Sequence, residues 1–432
     1  MNNSRLDSDG TLYCALASNS ISFGANGHAR PCCAIDTYSW PYEDYLDPDA
    51  GNLIEWFNNV DLVKVRTELN HGRWPDPCKL CKIREESGQP STRQVFNKTL
   101  FDLEQKTERP WRDHRDEIPD MDNIFLLDVT VGNKCNSSCL MCNPSASDMW
   151  QKEQEEILGR KIDWMGNNWL DNDNAVEIVK KLPNLRALQF VGGEPTVNKP
   201  HLEMLEYLVE TGRSKDITLG YVVNLTAITE KLVELWNHFD KKYITISVDG
   251  LGPVNEYIRY PFSWDKVNRG LDRIIKQAHT HGNYNIGLSH TVISLNILRL
   301  DEILSWWEDK IASSDIFIPG LPHVQCVTSP SHFDPVYMPE AMKNQCRETL
   351  DRLASKMDAR GLLHKYMPVI NNIENNILDV TPPESERIVE WMTMQDFCEK
   401  TDKHRGRDIF EYLPYMKEHW LDTDLDLVRF VP

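Results

Sequence analysis

Between residues 124 and 327, short apolar runs recur along the chain. The runs 124–131 (IFLLDVTV), 185–191 (LRALQFV), 217–225 (ITLGYVVNL), 242–248 (KYITISV), 283–293 (NYNIGLSHTVI) and 315–327 (DIFIPGLPHVQCV) predict strands. Segments 199–211, 228–239, 265–279 and 298–311 lie between them and carry apolar residues at helical spacing. The long gap 143–184 predicts a helix near 146–158. Near-continuous apolar strands alternating with helices imply a parallel sheet covered by helices, an α/β fold. Six such units suit a partial barrel or a doubly wound sheet, and strand count does not decide between them.

The flanks have other rhythms. Residues 12–33 pattern as a hairpin: LYCALASNSISF leads into Ala25-Asn26-Gly27-His28, and ARPCCAI returns. Asn-Gly is the strongest short hairpin signal, since both residues tolerate positive φ. Residues 52–70 predict a helix with Leu53, Trp56, Phe57, Val60, Val63 and Leu69 as its apolar stripe. Residues 83–120 are charged and polar and read as a linker with surface helices, and 328–432 read as mainly helical. The expected division is an N-terminal module over 1–92, a linker over 93–120, a βα core over 121–330 and a helical C-terminal extension over 331–432.

Composition narrows the classes. The 432 residues include 47 Lys plus Arg and 66 Asp plus Glu, a net charge of −19. Such a chain repels phosphate backbones, so no nucleic-acid partner is expected. The densest basic stretch, Lys79, Lys82, Arg84, Arg93 and Lys98, is interrupted by Glu85 and Glu86 and reads as solvated surface. The polar start and the lack of any run near the roughly 18 apolar residues of a span predict a cytoplasmic protein with no membrane partner. In a reducing compartment, 11 cysteines are not a disulfide framework.

The thiols are grouped instead. After the first predicted strand comes Gly132-Asn133-Lys134-Cys135-Asn136-Ser137-Ser138-Cys139-Leu140-Met141-Cys142, the spacing C-x-x-x-C-x-x-C. Three thiolates on one loop can hold three corners of a [4Fe–4S] cube and leave the fourth iron open to a small molecule. A structural zinc site, the alternative, favours four ligands in paired C-x-x-C knuckles. The next strand ends in Gly192-Gly193-Glu194-Pro195. Two glycines let backbone approach a ligand, and a glutamate accepts hydrogen bonds from an ammonium group.

Cys135, Cys139 and Cys142 with Gly192–Pro195 on successive strands resemble the radical S-adenosylmethionine superfamily. The resemblance implies a partial (βα)6 barrel. It implies S-adenosylmethionine bound through its amino and carboxylate groups at the open iron. One electron, from a donor such as flavodoxin or ferredoxin, would then yield a 5′-deoxyadenosyl radical that takes hydrogen from a peptide, protein or other bulky substrate. Gly192, Gly193, Glu194 and Pro195 would hold the amino group. Looser matches are Asn224 after the third strand, Ser247 and Asp249 after the fourth as ribose contacts, and Arg259 as carboxylate partner. Read alone, Asn224 and Asp249 serve equally as turn or cap residues, and Arg259 as an ion-pair partner. Met141 stands where many members place an aromatic residue near the adenine, and its apolar side chain preserves that contact.

Cys14, Cys32, Cys33, Cys78 and Cys81 exceed the needs of one closed four-ligand site, either zinc or a second iron–sulfur cluster. A hairpin with G-x-x-x-P-C-C, then Gly72, Trp74, Pro75 and C-x-x-C, then Glu86-Ser87-Gly88, looks like radical SAM proteins with an N-terminal twitch domain. That resemblance implies an auxiliary [4Fe–4S] cluster on Cys14, Cys32, Cys78 and Cys81, with Cys33 competing for the second place. It extends over about 12–327, and residues 390–420 look like the family's C-terminal tail. Cys326, Cys346 and Cys398 read as buried bystanders, and His290 and Asn296 as core polar contacts. The competing function is a zinc-stabilised scaffold or binding module without redox chemistry.

Overall fold

The computed structural model describes residues 11–25, 27, 29–35, 53–86, 90–111, 121–161, 170 and 174–420. Two compact units comprise 1–134, 165–221 and 234–242, and 135–164, 222–233 and 243–432. Eight strands follow in chain order: β1 (Ser20–Phe23), β2 (Ala29–Arg30), β3 (Leu126–Thr130), β4 (Ala187–Val191), β5 (Thr218–Val223), β6 (Lys241–Ser247), β7 (Tyr284–Val292) and β8 (His323–Cys326). They form one sheet in the order β2-β1-β3-β4-β5-β6-β7-β8. A doubly wound sheet reverses its strand order at a switch point. Here the six βα strands follow one another without reversal, so the class is the α/β partial barrel.

In the first unit β1 runs parallel to β3, β3 to β4 and β4 to β5, while β2 is antiparallel to β1. The predicted hairpin exists but is short. Its first half is the helix Ala15–Asn19. Ala-Leu-Ala is a strong helix-forming run, and Asn97 satisfies the helix start by accepting from Ala15 N at 2.8 Å. Of the predicted turn, Gly27 adopts φ 79°, while Asn26 and His28 lie outside the described residues. The predicted helix 52–70 is two helices, Leu53–Phe57 and Val60–Asn70. Asn59 caps the second by accepting from Leu62 N at 2.9 Å. Val60 is thereby exposed rather than part of the apolar stripe. The charged stretch folds into the helix Thr92–Thr107, opened by a capping box of Ser91 and Gln94. Ser87, Gly88 and residues 112–120 lie outside the described residues.

In the second unit β7 runs parallel to β8, pairing Ser289 with His323. The predicted strand 315–327 contracts to His323–Cys326 plus one bridge between Ile286 and Phe317. Pro319 and Pro322 interrupt it, since proline cannot donate to a ladder. The helix Trp264–His281 buries Val267, Gly270, Leu271, Ile274 and Ala278. A Cβ at Gly270 would lie 1.9 Å from the Leu225 carbonyl oxygen, so only glycine permits this approach. Beyond β8 the unit is helical, with the long helices Glu340–Asp358 and Glu384–Arg405. Among the described residues, no helix is long and apolar enough to cross a membrane.

The β4–β5 core has one titrating member. His201 packs against Phe190 at 5.2 Å and Tyr221 at 5.9 Å. Its Nδ1 lies 2.6 Å from the Asn198 carbonyl oxygen. Burial pushes the ring's pKa down to about 4. Below the unfolded value of about 6.5, the unfolded chain binds a proton that the native ring refuses. Stability from this group is therefore full above pH 6.5 and lost as pH falls towards 4, by about 3 kcal/mol. Urea titrations across this range should show a flatter pH dependence in His201→Gln than in the parent. Parallel curves would show that the ring is not buried in solution.

Candidate active site

Cys135, Cys139 and Cys142 lie beyond β3 in a segment that is neither helix nor strand. Their loop belongs to the second unit, whose residues hold it. Cys135 N donates to Asp148 Oδ1 at 2.9 Å, and Ser147 Oγ donates to the Ser137 carbonyl at 2.7 Å. Ser138 N and Leu140 N donate to the Tyr260 and Ile258 carbonyls, both at 2.9 Å. Ser137 Oγ also donates to the Tyr260 carbonyl, at 2.8 Å. Trp150 Nε1 donates to the Cys142 carbonyl at 2.8 Å. Sequence reasoning missed Trp150 and Tyr260, since an indole or backbone carbonyl acting at a distance leaves no motif.

Cys139 and Cys142 share one electrostatic site. Burial, then the neighbouring Cys139, pushes Cys142 up to about 12. Ser137 Oγ lies 3.2 Å from Cys139 Sγ, and Arg259 Nη1 approaches that sulfur at 4.0 Å. Arg259 is oriented by Asp249, whose Oδ2 accepts from its Nε at 2.6 Å. Asp249 is itself fully buried and accepts from Thr291 N through Oδ1 at 2.8 Å. Burial alone would lower the Arg259 guanidinium, but Asp249, Cys139 and Cys142 outweigh it and raise it above its ordinary value. A fixed cation beside Cys139 and Cys142, the latter raised by burial, fits an iron–sulfur core, whose ligands must be thiolates.

Asn224 reaches the same loop. Its Nδ2 donates to Asn136 Oδ1 at 2.8 Å, and its Oδ1 accepts from Thr226 N and Oγ1 at 2.9 and 2.7 Å. Asn136 Nδ2 donates to Thr226 Oγ1 at 3.0 Å. Asn224 is thus both a turn residue and a tie to the cysteine loop. Ser247 and Met141 are half-buried. Asn296 donates to the Asp249 and Thr291 carbonyls, both at 2.9 Å, and His290 Nδ1 lies 2.9 Å from the Val248 carbonyl oxygen. Cys346 and Cys398 are fully buried, and Cys326 is half-buried on β8.

Gly192–Pro195 belongs to the first unit. Gly192 has φ 118°, outside the range of ordinary side chains. Gly193 N donates to the Gly132 carbonyl at 3.1 Å, and Glu194 N to the Lys134 carbonyl at 2.9 Å. Lys134 directly precedes Cys135 in sequence. Glu194 is buried, and its Oε1 accepts from Thr196 N at 3.1 Å and Thr196 Oγ1 at 2.5 Å.

The N-terminal thiols also lie in the first unit. Cys78 ends a 3₁₀ turn, and Cys81 sits on the helix Lys79–Glu86. Burial pushes Cys14 up to about 11 and raises Cys32 and Cys78. Cys14 then acts on both Cys32 and Cys78, and Cys81 on Cys14 and Cys78. Cys33 is pushed up to about 12, by burial of its thiol and then by Asp128. Among the described residues, no group of three or more His, Cys, Asp or Glu closes on a single metal ion. Glu85 and Arg93, read from sequence as surface charges, form a buried ion pair at 2.8 Å. Arg93 Nη1 also donates to the Tyr13 carbonyl at 2.8 Å, which joins the C-x-x-C helix to the Cys14 segment.

A Cβ at Gly193 would lie 2.3 Å from the Lys134 carbonyl oxygen. Gly193→Ala should therefore cost about 1–3 kcal/mol in a denaturant titration, because rigid backbone has to move. An unchanged midpoint would mean that the two segments are not apposed in solution.

Residues 129–296 match the model of the Radical SAM superfamily. An uncharacterized protein of Methanocaldococcus jannaschii is 28% identical over 192 residues, covering 43% of this chain and 59% of that protein. A GTP 3′,8-cyclase of Pasteurella multocida is 24% identical over 192 residues, covering 43% of this chain and 50% of that enzyme. The match thus spans less than two thirds of either relative. A solved structure of anSMEcpe with bound AdoMet is 16% identical, covers 55% of this chain and 59% of its own, and has a TM-score of 0.36. That score carries no argument about the site.

Proposed function

We propose that this chain, whose residues 129–296 match the Radical SAM superfamily, is an enzyme that cleaves S-adenosylmethionine reductively at a [4Fe–4S] cluster ligated by Cys135, Cys139 and Cys142. The supporting observation is Arg259, held by buried Asp249 and lying 4.0 Å from Cys139 Sγ. Cys135, Cys139 and Cys142 would hold the cluster, which would supply the one electron needed to split the sulfonium into methionine and a 5′-deoxyadenosyl radical able to take a hydrogen atom from substrate.

The chain's own residues bind and orient. Arg259, kept cationic by its neighbours, pairs with the carboxylate of S-adenosylmethionine. Gly192, Gly193, Glu194 and Pro195 receive its amino group, and Met141 packs near the adenine. Ser247 and Asp249 lie at the ribose end. Asn224 steadies the loop through Asn136. The substrate in this reading is a peptide, a protein or another bulky molecule. The electron donor is a small carrier such as flavodoxin or ferredoxin.

The N-terminal module, residues 1–92, is read as a twitch-like domain with an auxiliary [4Fe–4S] cluster on Cys14, Cys32, Cys78 and Cys81. Residues 93–120 link it to a core over 121–330, and 331–432 form the helical extension. The influence of Cys14 on Cys32 and Cys78, and of Cys81 on Cys14 and Cys78, supports this set. Cys33 answers first to Asp128 and is the weaker candidate.

Anaerobic reconstitution should yield about eight iron and eight sulfide per chain, as two four-iron clusters require. With dithionite, the product should turn S-adenosylmethionine into 5′-deoxyadenosine. Cys139→Ala should abolish that product, and Cys78→Ala should retain about four iron. A colourless protein with zinc and no sulfide would overturn the proposal, as would undiminished cleavage by Cys139→Ala.

A further inference from the structure

The helix Glu384–Arg405 ends at Gly406, whose φ of 64° turns the chain sharply. Arginines stand on both sides of that turn. The Arg405 side chain is 2% exposed. Its Nε and Nη2 donate to the two Glu153 carboxylate oxygens at 2.5 and 3.0 Å. Nη2 donates also to the Ser138 carbonyl, at 2.8 Å, inside the cysteine loop. The same guanidinium lies 5.2 Å from the Trp150 ring and 4.3 Å from the Tyr260 ring. Arg407 covers the Tyr260 ring at 4.6 Å and donates through Nη1 to the Glu256 carbonyl at 2.6 Å.

Three of these partners, Ser138, Trp150 and Tyr260, belong to the loop or hold it. The Tyr260 carbonyl receives Ser138 N and Ser137 Oγ, and Trp150 holds the Cys142 carbonyl. We infer that Arg405 and Arg407 are positioning residues for the Cys135–Cys142 loop, so that the C-terminal segment is a working part of the site. The consequence for catalysis rests on the cluster reading above, whereas the clamp itself does not. Buried backbone groups need partners, and a loop without regular structure must find them elsewhere. Arg405 supplies one and braces the side chains beside two others. Its planar fork reaches Glu153 and Ser138 at once, which the single ammonium of a lysine does not reproduce.

Amide hydrogen exchange on the full-length, cluster-free chain tests this without any activity. In Arg405→Gln, the Ser138 and Leu140 amides should exchange about tenfold faster or more, with amides of β7 unchanged. Arg405→Lys should fall between parent and Gln variant. If Arg405→Gln does not fold, Glu153→Gln replaces it: it leaves Arg405 over both rings but weakens the fork, and should speed the same two amides. Parent-like exchange at Ser138 and Leu140 in a folded variant overturns the inference. If the parent fails to take up iron and sulfide while these amides still respond, the cluster reading fails and the clamp stands.

Discussion

The cysteine loop has no regular structure of its own, and its buried backbone groups must nevertheless be paired. That requirement organises the second unit. Ser138 N and Leu140 N are met by the carbonyls of residues 260 and 258, as one strand edge would meet another. The Ser137, Ser138 and Cys142 carbonyls are met by Ser147, Arg405 and Trp150. Those partners come from the helix after the loop, the segment around Arg259 and the far C-terminus. Three sulfurs can hold fixed positions on an irregular loop only because its main chain is tied at so many points.

The same tie aligns the electrostatics. Ile258 and Tyr260, which receive the loop's amides, flank Arg259. Fixing the loop therefore also fixes the guanidinium beside Cys139. Asp249 orients Arg259 from the buried side, with Thr291 N on its second oxygen. Breaking a buried pair of this kind typically costs about 3–5 kcal/mol, because the remaining charge is stranded. The pair is therefore sound support for a cation placed at a thiol site. Gly193 lies so close to the Lys134 carbonyl that no side chain fits between them.

The features legible in the sequence are those encoded by local period or local spacing. Strand periodicity located β3 to β7 within a residue or two of their ends, and C-x-x-x-C-x-x-C and Gly-Gly-Glu-Pro stood out by themselves. The misread elements were decided by single residues answering to distant partners. Asn97 draws Ala15–Asn19 into a helix, and Asn59 splits a helix that periodicity reads as one. Glu85 and Arg93 looked like surface charge because composition cannot tell which charges will meet and be buried. Asn224 was visible as a turn residue, but its bond to Asn136 was not. Arg405 lies 267 positions from Ser138 in sequence, beyond any local pattern.

Burial raises Cys14, Cys32, Cys33 and Cys78 alike, and their charged neighbours set them apart in a way that spacing could not. A buried thiol resists ionisation, and several together resist it further, so such a group is unfavourable unless positive charge is shared among its members. Cys14, Cys33 and Cys78 raise Cys32, and Cys14 and Cys81 raise Cys78. Cys33 instead takes Asp128 as its foremost charged neighbour, with Arg30 opposing. Asp128 is buried on β3 and accepts from Ser22 Oγ at 2.8 Å, so it is a fixed feature of the sheet. Cys33 and Cys32 therefore differ in their charged surroundings, Cys33 facing Asp128 first and Cys32 facing Cys14 first.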